Sequence, residues 1–205
     1  MPDIQSVSFS TAGWQLARDE GMMRTWENAE GDSLSLHVFL EVPDLVGPLS
    51  RIDRIQDSYR KLIVQSGGAL IEVEADQLDD LPALRTIFKF AQEPHGMSYS
   101  GAWVIPRRCF SFVVRVICAE HGQTGTRDTL VALKLQLPNS KDWFQDPYDS
   151  RFRAPVLRNR SDDSEWDGLF PQHPLSCLRA CLRSVKDSIT IAEDVRQSEP
   201  FVGPP

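Results

Sequence analysis

Three side chains that bind metals or act as nucleophiles recur at a spacing of four near the end of the chain: His173, Cys177 and Cys181. On a helix that spacing lines them along one face. A metal there needs a fourth group or water, with further side chains to orient the ligands. The competing reading, and the commoner outcome, is a pair of small buried thiols flanking an apolar stripe, with His173 just ahead of the helix because Pro174 suits its start. Cys109 and Cys118 sit nine positions apart on one predicted strand, face opposite sides and make no site. Gly96-Met-Ser-Tyr-Ser100 is one residue short of a nucleophile elbow, and a strand rather than a helix follows it. Glu72 and Glu74 alternate onto one side of a strand, where two carboxylates are usually just solvated. His37 falls on the polar face of its strand, and His95 and His121 stand beside glycines with no partner for a triad. Gly122-x-x-Gly125 lacks both the P-loop lysine and the dinucleotide spacing, so it reads as a turn. No catalytic set and no cofactor emerges.

The stretch from Pro138 to Pro174 differs in composition from the rest. Trp143, Phe144 and Tyr148 cluster, Arg151, Arg153, Arg158 and Arg160 follow, and Asp162, Asp163, Glu165, Trp166 and Asp167 close the run. Aromatic and arginine side chains anchor interfaces, so Trp143, Phe144, Tyr148 and Trp166 are the candidate protein-binding residues. The alternative is that the basic block pairs with the acidic one while the aromatics fasten the segment to the body. Ordering so long an irregular stretch requires buried anchors, and that favours the alternative. The adjacent acids cancel the field of the arginines, which argues against nucleic acid.

The elements that position these residues are legible from periodicity. Ser33–Leu40 alternates, with Leu34, Leu36, Val38 and Leu40 on one face. From Pro48 to Gln65 apolar residues recur at helical spacing, and Gly67-Gly68 ends the run. Leu70–Glu74 and Leu84–Phe90 read as strands with the acidic Asp76–Asp80 loop between them. Ala102–Ile105 and Cys109–Cys118 form a central hairpin. Phe110, Phe112, Val114, Val116 and Cys118 occupy one face of its second strand, with Val113 and Ile117 on the other. A strand apolar on both faces belongs in the middle of a sheet covered on both sides. A helix capped by Thr126, with Leu130, Leu133 and Leu137 inward, competes with a strand over the same residues; the helix is favoured. Leu175, Leu178, Leu182 and Val185 stripe a last helix, and Ser188–Ile191 is a short strand. A single α+β domain over 1–192 is expected, with a polar, disordered tail from 193 to 205.

A chain of 205 residues with 41% hydrophobic and 25% charged residues has material for a core without staples. The net charge of −7 disfavours general binding to nucleic acid or anionic membranes. No stretch is apolar for long enough to cross a membrane, and the first residues carry no basic-then-apolar leader. Four cysteines without a C-x-x-C then fit reduced thiols and a cytoplasmic setting.

The order of elements, with Leu81-Pro-Ala83 before a strand, the central hairpin, and a final helix running into Ser188-Ile-Thr-Ile191, resembles the PsbP-like superfamily over about residues 9–135 and 175–191. That superfamily includes an oxygen-evolving-complex protein, a Ran-GTPase-binding factor and a bacterial branch of effector-associated chaperones and lipoproteins. The resemblance implies a mostly antiparallel sheet of six to seven strands between helices, with the 138–174 stretch inserted before the last helix. It also implies a binding scaffold without shared catalytic residues. The expectation is a non-enzymatic protein-binding module (adaptor, chaperone or immunity-type) acting through its sheet or the 138–174 segment. The alternative is a small-ligand or lipid-binding protein with a pocket between sheet and helices.

Overall fold

The structure is a computed structural model that describes residues 2–137, 142–149 and 158–204. Seven strands form one antiparallel sheet: β2 Gln15–Asp19, β3 Met23–Glu27, β4 Ser33–Phe39, β5 Gly68–Leu78, β6 Leu81–Ala91, β7 Met97–Pro106 and β8 Ser111–Ala119. Their order is β2-β3-β4-β8-β7-β6-β5, so β8 lies in the middle, where its two-sided apolar pattern put it. Helices α1 Ile52–Gln65 and α3 Pro174–Ser188 lie on opposite faces. Two further helices are short, α2 Thr126–Leu135 and α4 Glu193–Arg196, and β1 Val7–Ser8 pairs with β9 Thr190–Ile191 as a separate two-stranded ladder. The fold is α+β, a sheet between helices.

The α3 face is filled. Leu175, Leu178, Leu182 and Val185, the predicted stripe, are at most 1% exposed and meet Phe112, Val114 and Val116 of β8. Two residues of β7 set how closely the helix seats. A Cβ at Gly101 would stand 2.6 Å from Leu178 Cδ2, and Trp103 Nε1 donates to the Leu182 carbonyl at 2.9 Å. On the other face α1 covers β5 and part of β6, and a smaller cluster of Leu45, Ile55, Leu70, Val73 and Leu84 lies beneath it.

Several expectations are corrected. Asp76–Asp80 is not a loop: β5 continues to Leu78, and a tight turn uses Asp79 and Asp80 at φ 46° and 67°, a left-handed conformation that aspartate tolerates. Helix α2 buries Arg127 and Val131 instead of the leucine stripe, leaving Leu130 48% and Leu133 66% exposed. Hydrogen bonds to Arg127 decide that rotation, and Gly125, not Thr126, is the N-cap. Residues 193–204 are ordered in place of the expected tail. Val195 is buried in the main core and Phe201 packs on the smaller one. Arg107 hydrogen-bonds Ser198 Oγ at 2.8 Å and its carbonyl, and Arg108 N donates to the Glu199 carbonyl at 3.0 Å. A sequence polar on average is thus fixed by two apolar anchors and a buried guanidinium.

The sheet has two edges. On β5, Val73 N–H donates to the Tyr148 hydroxyl at 2.6 Å and its carbonyl accepts from Gln56 Nε2 at 3.0 Å. On β2 every residue is exposed, with an irregularity between Leu16 and Arg18 that blunts pairing with another chain.

Candidate functional site

The described parts of the 138–174 stretch are held by buried charge. Asp146 and Arg60, 7% and 6% exposed, form a fork with contacts of 2.7 and 2.9 Å. Lys89 of β6 is fully buried with Nζ 2.6 Å from Asp162 Oδ2, off the line of a good hydrogen bond. Arg127 donates to the Ser161 and Asp163 carbonyls, Asp167 and Ser176. Arg179 of α3 bridges Glu72, Asp167 and the Asp162 carbonyl. So the acidic run is neutralised chiefly by cations of β6, α2 and α3. Its own basic block contributes Arg158 and Arg160, both paired with Asp163, while Arg151 and Arg153 lie outside the described residues.

The four aromatic candidates separate accordingly. Trp166 is 7% exposed, donates Nε1 to the Arg160 carbonyl at 3.0 Å and has Lys134 Nζ over its ring. Tyr148 caps the β5 edge, and burial pushes its hydroxyl up to about 12. Trp143 is half-buried, with its carbonyl accepting from Arg160 N. Phe144 stays 49% exposed. The group does not assemble into one surface patch; two of its members are structural anchors.

His173 is the N-cap of α3: its Nδ1 accepts from Leu175 N–H at 3.2 Å, and its Nε2 faces Glu120 Oε1 at 3.6 Å. Both ring nitrogens are committed, so neither serves Cys177, whose thiol instead contacts the Pro171 carbonyl at 3.5 Å. Burial pushes the Cys177 thiol up and Cys181 up to about 12, away from the thiolate that nucleophilic and ligand chemistry needs. Among the described residues no group of three or more His, Cys, Asp or Glu is arranged to hold a metal ion. Glu120 organises this corner. Its carboxylate accepts from Met97 N and Gly125 N at 3.0 Å each. Burial pushes its carboxyl up, but His173 and those N–H groups outweigh burial and hold it below the usual carboxylate range.

Ser98 lies inside β7, paired with Phe90 and Ala119, where no nucleophile elbow forms. Glu72 is not solvated: Arg179 and Arg85 flank it at 2.6 and 3.2 Å. Glu74 pairs with Arg85. Gly122 and Gly125 belong to the turn before α2.

The alternative reading placed a pocket between sheet and helices; what sequence reasoning did not locate is the groove of about 480 Å³ on the α1 face and the residues that line it. Helix α1 leans over β5, and among the described residues no helix covers the strip from β7 to β4. Tyr59, Leu62 and Ile63 form one wall, and Phe39 to Leu45 form another. Phe88, Ala102, Val104, Val113 and Arg115 are the floor. Phe39, Val42 and Leu62 are 40%, 47% and 55% exposed, and Ile117, two residues beyond Arg115 on β8, is 39% exposed. His37 stacks on Phe39 with ring centroids 5.9 Å apart. Burial, then Arg115, lowers its pKa, so the imidazole is neutral at pH 7. Burial, with Asp44 adding to it, raises the Tyr59 pKa, so its hydroxyl remains protonated. The one signal in the sequence was the apolar outer face of β8, Val113 and Ile117, which was expected to be covered.

No protein-family profile matches the chain, and no curated protein does. Two solved structures are similar in fold. A crystal structure from Bacteroides thetaiotaomicron VPI-5482 matches at TM-score 0.35 and 9% identity, over 57% of this chain and 39% of that one. The solution structure of cyanobacterial PsbP (CyanoP) from Synechocystis sp. PCC 6803 matches at TM-score 0.34 and 16% identity, over 62% of this chain and 85% of that one. The second of these carries the PsbP name, and its likeness to this chain is weak. Among the described residues no helix is long and apolar enough to cross a membrane.

Proposed function

We propose that this protein is a non-catalytic binding module whose ligand sits in the groove between α1 and the sheet. The observation that carries the reading is the groove itself, about 480 Å³, with apolar side chains predominating in its lining and polar groups on its floor and rim. Its size and lining are those of small-molecule sites. Apolar side chains left at a strand face and a helix margin, when they could have been covered, mark a surface kept for a partner. Support comes also from the other candidates: Trp166 and Tyr148 are spent on packing, and His173 and Cys177 are not poised for chemistry.

The test is binding of a neutral solvatochromic dye such as Nile red to the full chain. One saturable site is expected, lost in Ala102→Trp, which fills the floor. A dye that finds no site, or one indifferent to Ala102→Trp in a folded variant, sinks the groove. Turnover of any compound in a hydrolase and transferase panel sinks the non-catalytic part. A second reading, an adaptor for another protein, is favoured by Ile117, which lies beyond the groove on β8 and which a small ligand would leave uncovered. Its mark would be one stoichiometric protein partner lost on Ile117→Glu.

A further inference from the structure

Resting on that binding reading, we propose that the occupant of the groove is an alkyl monocarboxylate, its chain under α1 and its head on Arg115. Arg115 stands in the middle of the open face of β8, opposite Ser35 of β4 and Ala102 of β7, with Val113 and Ile117 two residues away on either side. Arg18, Arg24, Arg85 and Lys89 of the sheet, and Arg107 just beyond β7, all have partners in the protein. Arg115 has neither an ion pair nor a hydrogen bond among the described residues, and it remains exposed to solvent at the bottom of an apolar groove.

An occupant that fills the groove takes that guanidinium out of water. Burying a charge without a partner costs several kcal/mol, so the occupant must itself bring an acceptor. A carboxylate fits the guanidinium fork with two parallel hydrogen bonds. The charge on the head is limited by two acids, Glu41 and Asp44, which line the groove from the β4–α1 loop. Both are exposed and therefore screened, yet a dianionic head would face two negative charges against one positive. One negative charge is the best match. Tyr59 adds a protonated hydroxyl on the α1 side, and Ser100 and Thr86 add hydroxyls on the floor.

Volume selects the rest of the molecule. The groove is about 480 Å³, and apolar side chains from α1 and the β4–α1 loop flank its floor. A single alkyl chain fits.

The experiment measures binding of decanoate, decanol and decyltrimethylammonium to the full chain by calorimetry, each below its micelle-forming concentration. Decanoate should bind one molecule per chain, at least about tenfold more tightly than the neutral or cationic analogue. Arg115→Gln should erase that preference while leaving decanol binding unchanged. Leu62→Glu, on the exposed margin of α1, should weaken all three without touching the core, and thermal melts establish that both variants are folded. Equal affinity for decanoate and decanol, or a preference that survives Arg115→Gln, overturns the assignment of the head while the groove stands. If none of the three binds, the carboxylate proposal falls. Nile red binding then decides separately whether the groove reading falls with it.

Discussion

The two faces of the sheet begin from the same alternation of side chains and are closed in different ways. On one, α3 lays four leucine and valine side chains onto β7 and β8, close enough that Gly101 has no room for a Cβ. On the other, α1 stands over β5 at the edge and leaves the centre of the sheet, β8 and β4, uncovered. The difference is one of coverage. Val113 and Ile117 are as apolar as Val114 and Val116, but among the described residues no element returns over them. A fold with a complete core on one side can leave apolar area open on the other, and that leftover area is where recognition has room to act.

The largest test of this contrast is at the charge lattice that fastens the irregular segment over β5 and β6. Asp162→Ala leaves Lys89 fully buried opposite nothing and removes the acceptor for Asn159 N–H. We expect a loss of about 3–5 kcal/mol in urea unfolding. Joint replacement by Lys89→Met and Asp162→Leu should recover much of it, because a pair of apolar groups carries no desolvation cost. A loss below about 1 kcal/mol would mean that Lys89 reaches water or another partner.

Next is the core face. Leu182→Ala removes a side chain only 1% exposed and opens a cavity against β7, for an expected loss of about 2–4 kcal/mol. The midpoint should fall with the m-value unchanged, as for a local loss in a two-state unit. A smaller effect belongs to the β5 edge. Tyr148→Phe deletes the acceptor for Val73 N–H and should cost about 1 kcal/mol. Amide exchange at Val73 should accelerate, and an unchanged exchange rate would remove Tyr148 from the role of edge cap.

Much of this was readable from the chain. Leu34, Leu36 and Val38, the two faces of β8 and the stripe on α3 follow a period, and a period survives whatever packs against it. The exceptions are side chains whose burial depends on a distant partner. Lys89 looks like an outward lysine until Asp162 is brought to it, and Arg127 turns α2 away from its own leucines because carbonyls of 161 and 163 wait on that side. The ordered end of the chain rests on Val195, Phe201 and Arg107, too sparse a pattern to register as an element. A pocket between sheet and helices was foreseen as an alternative, but its position was unreadable for a different reason. It is defined by where α1 stops covering the sheet, a matter of helix placement that no local pattern encodes. Arg115 read as one more polar position between Val113 and Ile117. The aromatics of the inserted segment had the right composition for an interface, yet composition does not distinguish an anchor facing inward from one facing a partner.

The smallest effect on stability is expected where the effect on binding is largest. Leu62 is 55% exposed on the margin of α1 and lines the groove. Leu62→Gln keeps helix propensity and removes little buried area, so unfolding free energy should change by no more than about 0.5 kcal/mol. Nile red and decanoate should both bind measurably more weakly, since each loses part of the apolar wall. The core-face substitution Leu182→Ala should do the reverse, costing stability and sparing the groove as long as the chain stays folded. Parallel losses in both variants would mean that the two faces are coupled and that the open one is part of the core's own energetics.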